Sequence, residues 1–240
     1  STFSEDALRA QYDQNILTFA KHPSEALFNI SVWKIAEHFV DQGQRIRRLS
    51  FCPDLDDGSL FVGTESGQLS SWRLMRSDLT QSGLTEQVIL PTRKSKTDAI
   101  SNNGVITGMA FGRGGQLVAV GALNGLVKVG QWPLAQRDPF ITEWTAISGY
   151  LRDMTFVGNK GHVLCAVGEV EGKGILQVWD WRSIKEGAIS QYHAPESLTK
   201  TATSADGRFL AVGSSNGDIL VWELPDGVSD INTLRPKSLY

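Results

Sequence analysis

Residues 204–224 read SADGRFLAVGSSNGDILVWEL, and this stretch decides the fold. A polar turn leads into the apolar run FLAV, and a second turn at Asn216-Gly217 leads into the run ILVW. Short apolar runs between turn residues predict β-strands. Asn-Gly favours a tight hairpin because such a turn requires positive φ. The stretch therefore predicts two antiparallel strands that a hairpin joins.

The same pattern occurs three more times, in residues 59–74, 116–134 and 163–182, and more weakly in residues 15–35. Each strong copy has an apolar strand with Val-Gly, a polar turn with Gly, and a second strand with Trp. The tryptophans of the five copies are Trp33, Trp72, Trp132, Trp179 and Trp222. They are 39, 60, 47 and 43 residues apart, and the long interval reflects an insertion in residues 75–104. The other intervals match the repeat of about 40–45 residues that forms one propeller blade.

Two further strands complete each repeat. An inner strand precedes four copies, at Arg45–Phe51, Val105–Phe111, Leu151–Phe156 and Leu198–Ser204. A less regular outer strand follows four copies, near Glu37–Val40, Glu86–Pro91, Pro139–Thr142 and Ile189–His193. Four antiparallel strands joined by turns form a propeller blade. The central strands are apolar throughout because neighbouring blades cover both of their faces, so the blades must stack side by side.

The repeats resemble the WD40 family over nearly the whole chain, most closely in residues 204–224, and Trp179-Asp180 is the one literal Trp-Asp dipeptide. In that family a His, a Ser/Thr, a turn Asp and the Trp can form a hydrogen-bonded tetrad. The residues in place of the turn Asp are Ser66, Asn124, Glu171 and Asn216. His193, ahead of Trp222, is the one histidine placed for the His position. The blades are therefore expected to depend on packing more than on the tetrad.

The predicted fold class is all-β, a β-propeller of four-stranded antiparallel blades with about five repeat units. Residues 1–14 are expected to be a linker or helical lead-in, and residues 228–240 a tail or closing strand. The blades occupy residues 15–227, at about 15–41, 45–91, 105–144, 150–193 and 198–227. A partial seven-bladed ring is favoured over a closed five-bladed ring, because the first repeat lacks an inner strand.

Composition gives no reason to expect nucleic acid or a membrane as a partner. The chain has 23 basic and 26 acidic residues, and no apolar run is long enough to span a bilayer. The two cysteines, Cys52 and Cys165, are too few and too far apart for a zinc site. They are expected to be buried, reduced thiols of a cytoplasmic protein.

No set of reactive groups converges in the sequence. The four histidines fall in separate repeats, and GRGG at 112–115 lacks the Lys-Ser/Thr ending and the helix of a phosphate loop, so a turn is favoured there. The acidic turn at residues 54–57 lacks the spacing of a calcium loop. No catalytic, cofactor-binding or metal-binding residue is therefore assigned, and the chain is expected not to be an enzyme.

Six residues are candidates for binding a partner. Arg45 and Arg152 start inner strands and could together favour an anionic ligand. The second group, in the polar connector PTRKSKTDAISNNG, comprises Arg93, Lys94 and Lys96, with a solvated loop as the alternative. Trp144 has no counterpart in the other repeats and is either an interface anchor or packing between blades.

The resemblance implies a protein–protein interaction scaffold, a non-catalytic and cytoplasmic subunit of a larger complex. The alternative is a sensor or ligand-recognition propeller domain of a multidomain signalling or defence protein. A less favoured alternative is an enzyme or nucleic-acid binder that uses the central opening. The predicted inner-strand starts, Arg45, Asn103, Arg152 and Thr199, include no general base.

Overall fold

Short antiparallel strands make up the chain in its computed structural model. The structure describes residues 45–53, 59–81, 84–98, 104–134, 139–158, 160–224 and 237–239, and for 72–98 and 237–239 it describes the backbone. All of these residues belong to one compact unit, His38–Tyr240. They form four antiparallel sheets of four strands each, which we number 1 to 4 in chain order.

The strands of each sheet follow one another along the chain, and each pairs with the next. Sheet 1 contains β1 (Ile46–Phe51), β2 (Ser59–Thr64), β3 (Gln68–Gln81) and β4 (Leu84–Asp98). Sheet 2 contains β5 (Ile106–Gly112), β6 (Leu117–Ala122), β7 (Leu126–Gln131) and β8 (Thr142–Thr145). Sheet 3 contains β9 (Tyr150–Val157), β10 (Val163–Val170), β11 (Lys173–Asp180) and β12 (Ser190–Ala194). Sheet 4 contains β13 (Leu198–Thr203), β14 (Phe209–Ser214), β15 (Ile219–Glu223) and β16 (Lys237–Leu239).

The predicted hairpins are present where Gly supplies positive φ. Gly125, between β6 and β7, has φ 86°, and Gly217, between β14 and β15, has φ 98°. Residues other than Gly rarely adopt this conformation because Cβ meets the backbone there. The GRGG stretch forms a short 3-10 turn at Arg113–Gly115 between β5 and β6, as predicted.

Three hydrophobic clusters fill the spaces between successive sheets. In β6, Val118 and Val120 belong to the cluster between sheets 1 and 2, whereas Ala119 belongs to the cluster between sheets 2 and 3. Every residue of β6 is buried. Side chains alternate between the faces of a strand, so an apolar run such as LVAV is explained by a neighbouring sheet on each side.

The repeated tryptophans have a common place in this packing. Trp132, Trp179 and Trp222 each lie in, or directly after, the third strand of their sheet, and each meets an aromatic ring of the preceding sheet. Edge-on or tilted contact is the favourable arrangement for aromatic rings at these distances. The pairs, with the distances between ring centres, are Trp132–Phe61 at 4.5 Å, Trp179–Trp144 at 6.0 Å and Trp222–Tyr192 at 5.4 Å.

The structure differs from the sequence interpretation in two strands. Residues 92–98, interpreted as a polar connector, belong to β4, which pairs with β3 from Gln81↔Leu84 to Gln68↔Asp98. This pairing satisfies backbone groups that a loop would leave to solvent. The outer strand of sheet 2 begins at Thr142, three residues later than predicted. The outer strand of sheet 4, β16, pairs with β15 and lies within residues 228–240, for which a tail or a closing strand was predicted.

The blade count stays a prediction. The weak repeat at 15–41 and the lead-in at 1–14 lie outside the described residues. Within the described ranges, no helix is long and apolar enough to cross a membrane.

Candidate partner-binding site

The inner strands β1, β5, β9 and β13 lie side by side, and a single arginine joins three of them. Arg48 Nε, from β1, donates to the carbonyl of Thr107 in β5. Its Nη2 donates to the carbonyl of Arg152 at 2.9 Å and to the carboxylate of Asp153 at 2.8 Å, both in β9. A guanidinium has five donors in a rigid fork, which suits it to bind several acceptors at once.

Sheet 4 approaches the same carboxylate from the other side. The amide of Thr201 in β13 donates to Asp153 Oδ2 at 3.3 Å, and Lys200 Nζ lies 4.0 Å from that oxygen. Burial raises the pKa of Asp153, and the charges of Arg48 and Lys200 and the amides of Thr201 and Met154 oppose this rise. Asp153 therefore connects sheet 3 to sheets 1 and 4.

Threonine hydroxyls add further bonds between inner strands. Thr107 Oγ1 donates to the carbonyl of Leu151 at 2.7 Å, and Thr203 Oγ1 donates to the carbonyl of Phe156 at 3.1 Å. These bonds join β5 to β9 and β13 to β9. Together with Arg48 and Asp153 they hold the four strands in fixed register, and we call β1, β5, β9 and β13 the inner-strand frame.

The arginine candidates at the strand starts are exposed, but each has an acidic neighbour. Arg45 Nε lies 3.9 Å from Glu65 Oε2, and a hydrogen bond from Arg47 to Glu65 lowers the pKa of that carboxyl. Arg152 Nη2 lies 3.2 Å from Glu169 Oε2. The two arginines therefore offer an anionic ligand less net positive charge than the sequence suggested.

The pKa of Glu169 is also below its ordinary value. A hydrogen bond from Ser197 is the main cause, and the hydrogen bond from Arg152 is the second. Glu169 is therefore ionised at neutral pH, and the surface around β9 carries both signs of charge. Opposite charges at close range lower the attraction that a distant polyanion would feel.

The three basic candidates of the supposed connector lie in a strand. Arg93, Lys94 and Lys96 belong to β4, the outer strand of sheet 1, so the loop interpretation is wrong. Arg93 pairs with Trp72 and Lys96 with Ser70, while Lys94 falls at an irregularity of the register. Their side chains lie outside the described part of the structure.

The geometry supports the packing alternative for Trp144. Its ring, in β8, lies against Trp179 of sheet 3 and is half-buried. Its Nε1 is buried and has no hydrogen-bond partner among the described residues. Trp144 therefore contributes to the contact between sheets 2 and 3.

The hydrogen-bonded tetrad for which His193 was the candidate histidine does not form in the described part of the chain. His193 lies on β12 and is exposed, whereas Trp222 is buried and its Nε1 has no partner in the described part of the chain. Trp222 packs against Tyr192 instead. The interface between sheets 3 and 4 therefore depends on ring packing, as expected from the altered repeat.

Chemically reactive groups are either buried or dispersed in the described ranges. Neither Cys52 nor Cys165 forms a disulfide, and both are buried, as predicted. Burial raises the pKa of Cys165 to about 12, so at neutral pH it is a thiol and a weak nucleophile. No three His, Cys, Asp or Glu side chains among the described residues are placed to hold a metal ion.

Sequence reasoning did not identify Asp153 or its pairing with Arg48. A signal was present, because Asp153 lies between the apolar residues Leu151 and Met154 of the strand LRDMTFV, and both of these are buried. A carboxylate inside a packed strand requires a partner. The identity of that partner was not readable, because Arg48 is 105 residues away in the chain.

Comparison with known proteins first identifies two distant curated relatives. No protein-family model matches the chain. Protein SPA1-RELATED 3 and Protein SPA1-RELATED 4, both from Arabidopsis thaliana, are each 22% identical, over 143 and 142 residues respectively. Each match covers 59% of this chain, but 17% and 18% of the two relatives. The chain therefore spans less than a fifth of the curated relatives it matches.

Two solved structures have a fold similar to that of this chain. A chain of the mitotic checkpoint complex aligns with a TM-score of 0.54 and 15% identity, covering 76% of this chain and 49% of that chain. The WD40 domain of Toxoplasma gondii coronin aligns with a TM-score of 0.54 and 12% identity, covering 80% of this chain and 44% of that chain. The chain thus corresponds to less than half of each of these structures.

Proposed function

We propose that this chain, which has the WD40-type propeller fold, is a non-catalytic protein–protein interaction scaffold. The inner-strand frame is the observation that carries the proposal. Its buried charges bind one another across sheets, as Arg48 and Asp153 do. Side chains that are hydrogen-bonded in this way keep the strands in place and are not available as reactive groups. A rigid framework that presents exposed strand ends is suited to binding.

The exposed ends of β1 and β9 offer the chemistry of a protein-binding surface. Tyr150 is exposed, and the guanidinium of Arg152 lies 5.7 Å from the centre of its ring. Tyrosine and arginine are enriched among residues that dominate binding energy at protein interfaces. Glu65 and Glu169 beside the arginines favour a partner of mixed charge over the uniform negative charge of nucleic acid.

Affinity capture of the full-length polypeptide from its native source, followed by mass spectrometry, tests this proposal. The wild type is compared with the double variant Arg45→Glu/Arg152→Glu. The matched control, Lys160→Glu/Lys185→Glu, makes the same charge change at exposed residues beyond the opposite end of the sheet 3 strands. The proposal expects stoichiometric protein partners with the wild type and the control, and at least about tenfold less partner with the double variant.

Two results would count against the proposed surface or function. Recovery of the polypeptide alone, with no stoichiometric protein, contradicts the scaffold. Equal recovery of partners with wild type, double variant and control keeps the scaffold but removes Arg45 and Arg152 from its binding surface. Circular dichroism of all variants shows whether a variant that loses binding is still folded.

One observation favours a second candidate function. The chain covers less than a fifth of each curated relative. We therefore also propose that it serves as the recognition domain of a longer, multidomain signalling or defence protein. Mass spectrometry of the intact polypeptide from the native source tests this. A mass that includes an additional effector domain supports it, and a mass that leaves room for the propeller alone contradicts it.

We further propose that the protein works in the cytoplasm. Cys52 and Cys165 are buried and neither is in a disulfide, which suits a reducing compartment. Fractionation of the native source with an antibody to the chain tests the location, and recovery in a secreted fraction would contradict it.

A further inference from the structure

The third and fourth strands of sheet 1 continue past the end of its second strand. β3 pairs with β2 as far as Ser59↔Arg73, and residues 74–81 of β3 extend beyond that pair. They pair with residues 84–91 of β4, from Leu74↔Pro91 to Gln81↔Leu84. The result is a two-stranded ribbon about 25 Å long. Among the described residues, no strand lies beside β3 along this ribbon, and we call residues 74–81 of β3 the ribbon edge.

The ribbon edge presents backbone groups that no neighbouring strand of the described chain binds. The pairs of an antiparallel ribbon alternate between those that exchange hydrogen bonds and those that do not. The pair that closes a two-residue hairpin, here Gln81↔Leu84, exchanges hydrogen bonds, so Thr80↔Thr85 does not. The amides and carbonyls that face away from β4 therefore belong to every second residue of the ribbon edge, namely Leu74, Arg76, Asp78 and Thr80.

The other edge of the ribbon, on β4, carries features that prevent pairing. By the same alternation Pro91 has its nitrogen on the outer side of β4, where it has no hydrogen to donate. Lys94 and Lys96 follow on the same strand, and lysine is common on strands that must not pair. The ribbon edge, with the sequence LMRSDLTQ, contains neither proline nor lysine. An unprotected edge of this kind accepts a further strand.

The sequence of the ribbon edge is complementary to itself when two copies run antiparallel. With Ser77 opposite Ser77 of a second copy, Arg76 falls opposite Asp78, and Met75 falls opposite Leu79, on both sides of the centre. Opposite charges in direct cross-strand positions stabilise a sheet, and like charges destabilise it. In this register the outward-facing residues of one copy meet those of the other, which allows about eight backbone hydrogen bonds between the copies.

We propose that two copies of this chain associate through the ribbon edge, strand to strand and antiparallel, about a twofold axis at Ser77. The contact is isologous, because both copies use the same residues. It joins two ribbons into one four-stranded sheet, whereas a two-stranded ribbon alone is only marginally stable in water. This self-association goes beyond the scaffold function and does not depend on it.

Sedimentation velocity of the full chain tests the proposal through the two charges. Arg76→Asp and Asp78→Arg each place like charges opposite one another, so each variant alone is expected to dimerise at least about tenfold more weakly than wild type. An equimolar mixture of the two variants restores dimerisation, because each charge of one copy then meets the opposite charge of the other. The double variant Arg76→Asp/Asp78→Arg exchanges the charges and is expected to dimerise like wild type.

A matched pair of proline variants tests the edge itself. Thr80→Pro removes an amide hydrogen from the ribbon edge, and Thr85→Pro removes one from the opposite edge at the same cross-strand pair. Neither amide is used between β3 and β4, so both variants are expected to keep the ribbon, which circular dichroism checks. Thr80→Pro is expected to dimerise at least about tenfold more weakly, and the control Thr85→Pro as wild type does.

The wild type is expected to pass from monomer to dimer, and no further, as its concentration rises from about 1 to about 200 µM. A wild type that stays monomeric would leave the ribbon edge to a strand of another protein, and it overturns the proposal. The proposal is equally overturned by an association that the mixture of the two charge variants fails to restore, or that the two proline variants weaken to the same extent.

Discussion

Arg48 and Asp153, which lie in the inner strands of sheets 1 and 3, form an ion pair at 2.8 Å. The strand between them contributes the carbonyl of Thr107 to the same guanidinium. The side chains are 22% and 11% exposed, so water screens the pair only in part. One arginine therefore holds three consecutive sheets together, and its loss should have consequences beyond its own strand.

Arg48→Met is expected to lower the free energy of unfolding by about 2–4 kcal/mol at neutral pH. The reason is that Asp153 stays charged and partly buried without its main partner. Urea unfolding followed by tryptophan fluorescence measures the change. The double variant Arg48→Met/Asp153→Asn should recover part of the loss, since it removes the unpaired charge. If the double variant is as unstable as the sum of the single variants, the pair is not coupled.

The cost of Arg48→Met should also grow with pH. Burial raises the pKa of Asp153 above its ordinary value of 3.8, so the group stabilises the fold fully below that value and less as pH rises through the native pKa. Arg48 opposes this rise, and without it the native pKa moves higher and stability keeps falling over a wider range. Unfolding curves from about pH 4 to about pH 8 should show the difference from wild type widening. A constant difference would exclude Asp153 as its cause.

Two glycines with left-handed backbones provide a matched pair. A Cβ at Gly125 would lie 1.8 Å from the carbonyl oxygen of Ile147, whereas a Cβ at Gly217 would meet nothing within 4 Å. Gly217→Ala is therefore expected to cost about 1 kcal/mol, from backbone strain alone. Gly125→Ala is expected to cost about 2–4 kcal/mol, because the contact adds to the strain. Thermal unfolding of both variants measures this, and equal costs would contradict the close approach at Gly125.

Stability should depend on ring packing and not on a histidine tetrad at Trp222. His193 is exposed, so His193→Ala is expected to change stability by less than about 0.5 kcal/mol. Tyr192→Ala is expected to cost about 1–3 kcal/mol, because it removes the half-buried ring that packs against Trp222. Denaturant unfolding compares the two. A larger loss for His193→Ala than for Tyr192→Ala would show that the histidine supports the blade.

The sequence predicted the features that depend on near neighbours. Hairpins such as Asn124-Gly125 follow from turn chemistry, and the buried run of β6 follows from its composition. β4 was only partly recognised because its second half, TRKSKTD, has no apolar alternation, and pairing with β3 overrides the local signal.

The contacts between sheets could not be predicted from the local sequence pattern. Arg48 could be seen as basic, but its binding to Asp153 depends on how three sheets stack. Trp144 was open to two interpretations for the same reason, since its contact with Trp179 belongs to a neighbouring sheet. Periodicity places a side chain on a face, and only tertiary packing decides what covers that face.

If the inner strands form one frame, removing Arg48 must lower the local stability of strands in other sheets as well as that of its own strand. Hydrogen exchange with mass spectrometry, on the wild type and on Arg48→Met, measures this strand by strand. The frame predicts that amides of β5, β9 and β13 lose protection together with those of β1. Loss confined to β1, with β9 and β13 unchanged, would contradict the frame and with it the rigid platform on which the proposed scaffold function depends.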